Sequence, residues 1–213
     1  MIERLLFHFI KETTMSRKPV QIILLLIAVV LAGAAGFYYF YWSRTPEYAA
    51  GEIRQAVAEK NFQLFQERVD LEKVYGYALD DLIDVAAGSD VKDHRVAAGL
   101  MRALKKPLTE EMIRQTGQYF AKNAQPDHSP LAAVTRTIKA YTGSAALSLT
   151  DIAQVRQEGD TAKASVRLHD SDLGRDFTWT VTMEKDVNGR WAVTRVDNLK
   201  EYLKERKEAI LKQ

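Results

Sequence analysis

The sequence contains no cysteine, which excludes disulfide staples, thiolate chemistry, cysteine-ligated zinc and the lipid-bearing cysteine of a bacterial lipoprotein. It has no Asn-x-Ser/Thr acceptor either, a pattern that fits a bacterial source. A Gly-rich phosphate loop, a His-Glu-x-x-His pair and a Gly-x-Ser-x-Gly elbow are all missing. The familiar signatures of nucleotide binding, zinc proteolysis and serine hydrolysis are therefore absent, and no cofactor is expected. Charge of one sign is scarce as well. The 213 residues carry a formal +2, but Arg4, Lys11, Arg17, Lys18 and Arg44 against Glu3 and Glu12 put +3 on the first 44 residues, leaving −1 on the rest. A nearly neutral remainder offers no concentrated basic face for phosphates, so nucleic acid is not expected as a partner.

What the sequence does have is one long apolar run, Val20 to Trp42, with Gln21 as its only strongly polar member and a closing aromatic block from Phe37 to Trp42. At 1.5 Å per residue it makes a helix roughly 35 Å long, enough to cross a hydrocarbon core of about 30 Å. The run predicts a single-pass anchor in the bacterial inner membrane, with the lipid bilayer as a first partner. Arg17 and Lys18 at one end and the aromatic belt at the other orient it, N-terminus in the cytoplasm and everything after residue 44 outside. Ala32-Gly33-Ala34 has the form a signal peptidase accepts, but six aromatics just beyond make a better interfacial belt than a mature terminus, so retention is expected. Ala28, Ala32 and Gly36 recur every four residues, the spacing that lets two helices approach and would permit a homodimer. Upstream, the second methionine at Met15 offers an alternative start to Met1, and the two are left open.

After a brief linker over residues 43–46, one soluble α+β domain is expected over 47–213, since the 169 residues left after the first 44 suffice for a real core. Pro46 and Glu47 suit the first turn of a helix to about Lys60, with Ile53, Ala56 and Val57 inward and Phe62 and Phe65 continuing that face. Asp70 caps a longer helix, Leu71 to about Ala87, striped by Val74, Ala78, Leu82 and Val85. Further helices are read over Arg95 to Lys105, Glu110 to Asn123 behind a Thr109 cap, and Leu131 to Tyr141, with Pro107 separating the first two.

Thr45-Pro46-Glu47-Tyr48, Ile53 to Val57, Phe65, Val69-Asp70-Leu71, Val74 and Ala78 to Leu82 resemble the start of an uncharacterised bacterial family, domain of unknown function 2939. The resemblance spans residues 45–83. It implies a membrane anchor, a short helix and a valine-aspartate turn in an envelope protein of no known activity. Family members often place tyrosine directly after the proline, whereas Glu47 intervenes here.

From Leu147 the period changes to two. Ala162, Ala164, Val166 and Leu168 alternate with polar residues, as do Phe177, Trp179, Val181 and Met183. With turns at Glu158-Gly159-Asp160 and Asn188-Gly189, this predicts four antiparallel strands, about 149–157, 161–169, 176–185 and 190–196. A final amphipathic helix, Leu199 to Leu211, follows, with Leu199, Leu203 and Ile210 on one side and Glu208 paired with Lys212. Helices followed by a curved meander resemble the nuclear-transport-factor-2-like cone, a likeness of fold that licenses no function.

Few constellations invite chemistry. Asp170, Asp172 and Asp176, with His169 before them, stand at alternate positions as calcium ligands do, though Gly174 occupies one ligand position and no closing glutamate follows. Asp90, Asp93 and His94 could make a small metal or acid-base group, otherwise a solvated turn and cap. Asp80 and Asp84 share a helix face beside Asp81, a like-charge conflict that hints at a partner surface, otherwise an ordinary wet helix face. Asp151 is the one weak catalytic candidate: strict alternation with Leu149, Ala153 and Val155 would bury it as a general base, beside Trp179 and Tyr141. A bulge that starts the register at Ile152 would instead leave it in the preceding turn. The sequence thus supports an anchored extracytoplasmic domain that works by binding an envelope protein, with a hydrophobic-ligand carrier or an Asp151 enzyme as the alternative.

Overall fold

The computed structural model describes residues 17–88, 92–121, 129–144 and 146–211; the tail before Arg17, Asp90, the loop at 125–128 and Lys212 lie outside them. The chain divides into two compact units, Met1–Ser43 and Arg44–Gln213. In the first, helix α1 (Arg17–Trp42) runs without a break, and from Gln21 to Trp42 it is long and apolar enough to cross a membrane, with none of it buried. Val20 lies at the start of this run and Trp42 ends the helix. Ala28, Ala32 and Gly36 occupy one exposed face, and Tyr38 and Trp42, one turn apart, stack with ring centroids 6.4 Å apart.

The second unit opens with helix α2 (Pro46–Glu59). Thr45 Oγ1 accepts from the Tyr48 amide at 3.2 Å, and Pro46 gives up an amide hydrogen that the first turn would leave unbonded. Lys60 takes the left-handed conformation (φ 56°) and ends α2, so the face expected to run on through Phe62 and Phe65 becomes a separate short helix, α3 (Phe62–Arg68), capped by Asn61. Helix α4 (Leu71–Ala87) keeps its expected bounds, with Asp70 Oδ1 accepting from the Lys73 amide at 3.1 Å.

Helices α5 (Lys92–Ala103), α6 (Lys105–Phe120) and α7 (Pro130–Thr142) follow. Here the reading of Pro107 as a separator and Thr109 as a cap is corrected. The break falls at Leu104, and Pro107 sits in the first turn of α6, where its missing donor costs nothing. Thr109 lies inside the helix and donates to the Lys105 carbonyl at 3.0 Å.

Among the described residues, strands β1 (Leu147–Glu158), β2 (Thr161–Asp170), β3 (Arg175–Lys185) and β4 (Trp191–Val196) form one antiparallel meander in that order. The expected inward rows pair across β2 and β3: Ala162 with Met183, Ala164 with Val181, Val166 with Trp179, Leu168 with Phe177. Strand β4 starts one residue later than expected because Asp186 Oδ1 holds the Arg190 amide in the turn at 2.8 Å. Helix α8 (Leu199–Leu211) closes the unit. The fold is α+β, a helical half followed by a meander and a C-terminal helix.

Helix α4 is the hub, packing against α5, α6, β4 and α8. One core joins Ala49, Ala50 and Ile53 of α2 to Ala162, Val181, Met183 and Trp191 of the sheet. A second joins Leu79 and Leu82 of α4 to Leu108, Ile138, Phe177 and the α8 residues Leu199, Tyr202 and Leu203. The third is small: Ile83 and Ala86 against Ala98, with Met101 beside them. Ala98 is the one buried residue among the described side chains of α5, with Met101 partly buried beside it.

Candidate functional site

That thin attachment leaves α5 with an uncovered apolar side. Val96 is 56% exposed, Leu100 60% and Leu104, just past its end, 38%. Spaced at i, i+4 and i+8, they share one face, while Ala98 and Met101 turn inward. Behind this face lies an open groove of about 440 Å³, its walls supplied by Leu82 and Ala86 of α4, Ala97 and Met101 of α5, Leu108 of α6 and Val134 and Ile138 of α7. Thr137 and His94 are the polar members of its lining. Contiguous exposed apolar surface of this kind marks a contact site.

A second groove, of about 880 Å³, opens where α4 meets the junction of α5 and α6, and its lining is charged: Lys73 and Asp80 on one wall, Arg102, Lys105 and Glu110 on the other. Two of its lysines are paired, one of them with a carboxylate outside the lining. Lys105 Nζ reaches Asp80 Oδ2 at 2.7 Å and Lys73 Nζ reaches Glu184 at 2.9 Å.

The acidic candidates are engaged by cations of the chain itself. The apolar row of β2 continues past Leu168 to Asp170, which is fully buried. Its carboxylate pairs with Arg206 Nη1 of α8 and accepts the amides of Asp172 and Leu173 at 3.0 and 3.2 Å; Tyr202 donates to it at 3.4 Å. Asp172 meets the other prong of Arg206 at 2.6 Å, while Asp176 turns away to His169, 2.7 Å from its Nδ1. The calcium-like reading of Asp170, Asp172 and Asp176 is thus corrected: two carboxylates converge on a guanidinium and the third points elsewhere. No cluster of metal-ligating side chains occurs among the described residues. Burial pushes the Tyr202 hydroxyl up to about 12. Gly143, in the left-handed conformation at the end of α7, lies against the same guanidinium, and a Cβ there would fall 1.9 Å from Arg206 Cζ.

On α4, Asp80 and Asp84 do share a face, but the cations that relieve them are Lys105 and, at 2.7 Å, Lys200. The hint of an outside partner there is withdrawn. Asp81, between them, is buried; desolvation raises its carboxyl above the ordinary value despite Lys200 at 3.5 Å and Arg195 at 3.9 Å.

Asp151 is not buried, which corrects the general-base reading. A bulge between Leu149 and Asp151 turns Ile152 into the core, and the Asp151 side chain stays 46% exposed, 3.3 Å from Arg54 Nη2. It nevertheless lies within β1 rather than in the turn before it. Asp93 is exposed and His94 lines the apolar groove.

The groove and the α5 face escaped the sequence reading, although Val96, Leu100 and Leu104 were visible as a stripe. Compared with known proteins, the chain matches no family model, no curated protein and no solved structure.

Proposed function

We propose that the chain is a single-pass anchored protein of the bacterial inner membrane whose domain from Arg44 onward lies outside the cytoplasm and acts by binding, at the outer face of α5. Arg17 and Lys18 before the apolar run and the aromatics at its end support that topology, and the resemblance to domain of unknown function 2939 supports an envelope role. The observation that carries the binding reading is the exposed row Val96, Leu100 and Leu104 backed by an apolar groove. Small-ligand carriers bury most of their ligand among a few convergent polar groups. This groove stands open along α5, which suits a docking surface better than a carrier or an enzyme.

A photoreactive residue at position 100 of the full chain, activated in native membranes, tests the reading against the same residue at position 178 on the outer side of β3. The expected result is an adduct from position 100 that is lost in Leu104→Asp, and none from 178. Equal yields at both, or none at 100, would overturn it.

A further inference from the structure

We infer that the charged groove between α4 and α6 is a second binding site, for short extended peptides of about four residues with both ends free. It stands apart from the outer face of α5 and does not rest on the reading of that face. The two helices run antiparallel here. Lys105 at the start of α6 meets Asp80 of α4, while Thr116, three turns later, meets Tyr75 earlier in α4, hydroxyl to hydroxyl at 2.5 Å. From α4 the groove takes Glu72, Gly76 and Asp80, and from α6 Lys105, Thr109 and Ile113, each set at i, i+4 and i+8 and so on one face of its helix.

The first feature that points to a ligand is the charge left over once the internal pairs are made. Lys105 and Asp80 neutralise each other, and Lys73 is held by Glu184. Arg102, Lys106, Glu72 and Glu110 also line the groove; all four are exposed, and none has an ion-pair partner among the described residues. Asp84, which Arg102 influences from a distance, is bonded to Lys200. These four charges are sorted by sign. Arg102 and Lys106 flank the Lys105–Asp80 pair at one end. Glu72 lies two turns of α4 away from Asp80, and because α6 runs the other way, Glu110 is displaced from Lys106 in the same direction. The helical rise from Glu72 to Asp80 puts about 12 Å between the two ends.

The second feature is Gly76, which sits inside α4 between those ends. A glycine there weakens the helix, yet a Cβ at this position would meet nothing within 4 Å, so no neighbour in the fold requires its absence. What glycine supplies is room for another chain's backbone to lie against the helix. An extended chain of four residues is roughly 13 Å long at about 3.3 Å per residue. Its ammonium can then face Glu72 and Glu110, and its carboxylate Arg102 and Lys106, while its middle crosses Gly76. A simple anion would use only the cationic end and would have no need of the glycine.

Saturation-transfer NMR of tetra-alanine titrated onto the full chain in deuterated detergent micelles tests the inference. N-acetyl-tetra-alanine, tetra-alanine amide and di-alanine are run beside it, and so is acetyl-Lys-Ala-Ala-Glu-amide, whose charges come from side chains as they would in a segment inside a protein. The expected result is saturable binding of tetra-alanine, weakened about threefold to fivefold by blocking either end, the range of an exposed ion pair. Di-alanine, too short to reach both ends, and the doubly blocked peptide should bind more weakly still. Arg102→Gln and Lys106→Gln should weaken tetra-alanine but not its amide, whereas Glu72→Gln should weaken tetra-alanine but not the acetylated peptide. Gly76→Leu fills the path and should abolish binding in a chain that melts no lower than the native one. Should leucine disturb α4, Gly76→Ala repeats the measurement with less bulk: melting temperature up, binding down.

Absence of tetra-alanine binding, or equal binding of free and blocked peptides, would overturn the inference. Loss on amidation alone would reduce the groove to a plain anion site, and tighter binding of the doubly blocked peptide would assign it to protein segments; either result overturns the free-peptide reading. So would tetra-alanine binding that Gly76→Leu leaves unchanged.

Discussion

Two regions of the second unit treat exposed and buried surface in opposite ways. Around α8 and the β2–β3 turn, charge is taken inside and met by opposite charge. Asp170 is buried with Arg206, Tyr202 donates to the Thr142 carbonyl at 3.0 Å, and Asn198 holds both the amide of Thr180 and the carbonyl of Thr178. Around α5, bulky apolar side chains are left outside. The first arrangement spends polar residues on fixing one structure. The second leaves hydrophobic surface uncovered and gains nothing in stability from it, as a contact face does.

The largest test of this contrast is Arg206→Ala. It strands a buried carboxylate and is expected to cost about 3–5 kcal/mol in urea unfolding, whereas Arg206→Met combined with Asp170→Leu should recover most of that loss. Trp191→Phe is next. It removes the indole N–H that donates to the Arg44 carbonyl at 2.9 Å, for an expected loss of about 1–3 kcal/mol in the same measurement.

Asp81→Asn should act more weakly and with a pH signature. Burial raises the Asp81 carboxyl, so the folded protein holds that proton more tightly than the unfolded chain does. Stability from this group falls as pH rises from the ordinary carboxylate value through the raised one. The variant should therefore melt higher than the native chain near neutrality, with the advantage shrinking as pH falls toward the ordinary value. Melting curves between neutral and acid pH decide the sign. The smallest effect belongs to Leu100→Lys, which is expected to change stability by no more than about 0.5 kcal/mol while abolishing the photo-adduct from a probe at Val96.

Period-two patterning was enough to recover the meander, because each inward row of β2 and β3 is covered on a single side and any slip would expose it. Pro46 in a first turn and the Asp70 cap located the starts of α2 and α4. The same patterning, followed two residues further, places Asp170 inward; the cluster of aspartates drew attention to loop chemistry instead, and its counter-ion lies 36 residues away on α8. For α5, periodicity reveals a helix with several apolar residues but not which of them the neighbours cover. Leu100 is larger than Ala98, yet Ala98 is the one buried, since close packing of α5 on α4 favours the small side chain. At Asp151 the sequence left two registers open, and the chain takes the one with a bulge, which turns Ile152 inward while Asp151 stays within β1.

The bond from Trp191 to the Arg44 carbonyl joins positions 147 residues apart, and the Asp70 amide is likewise held by the Val193 carbonyl at 2.9 Å. Helices α2, α3 and α4 therefore leave the ribosome long before the strand that completes their packing. Until β4 has been made, Ala49, Ala50 and Ile53 have no Trp191 to complete their cover. Assembly of this domain is governed by its end rather than its beginning, and a chain cut before residue 191 would carry all but one of its strands and still lack the piece that locks its first helices in place.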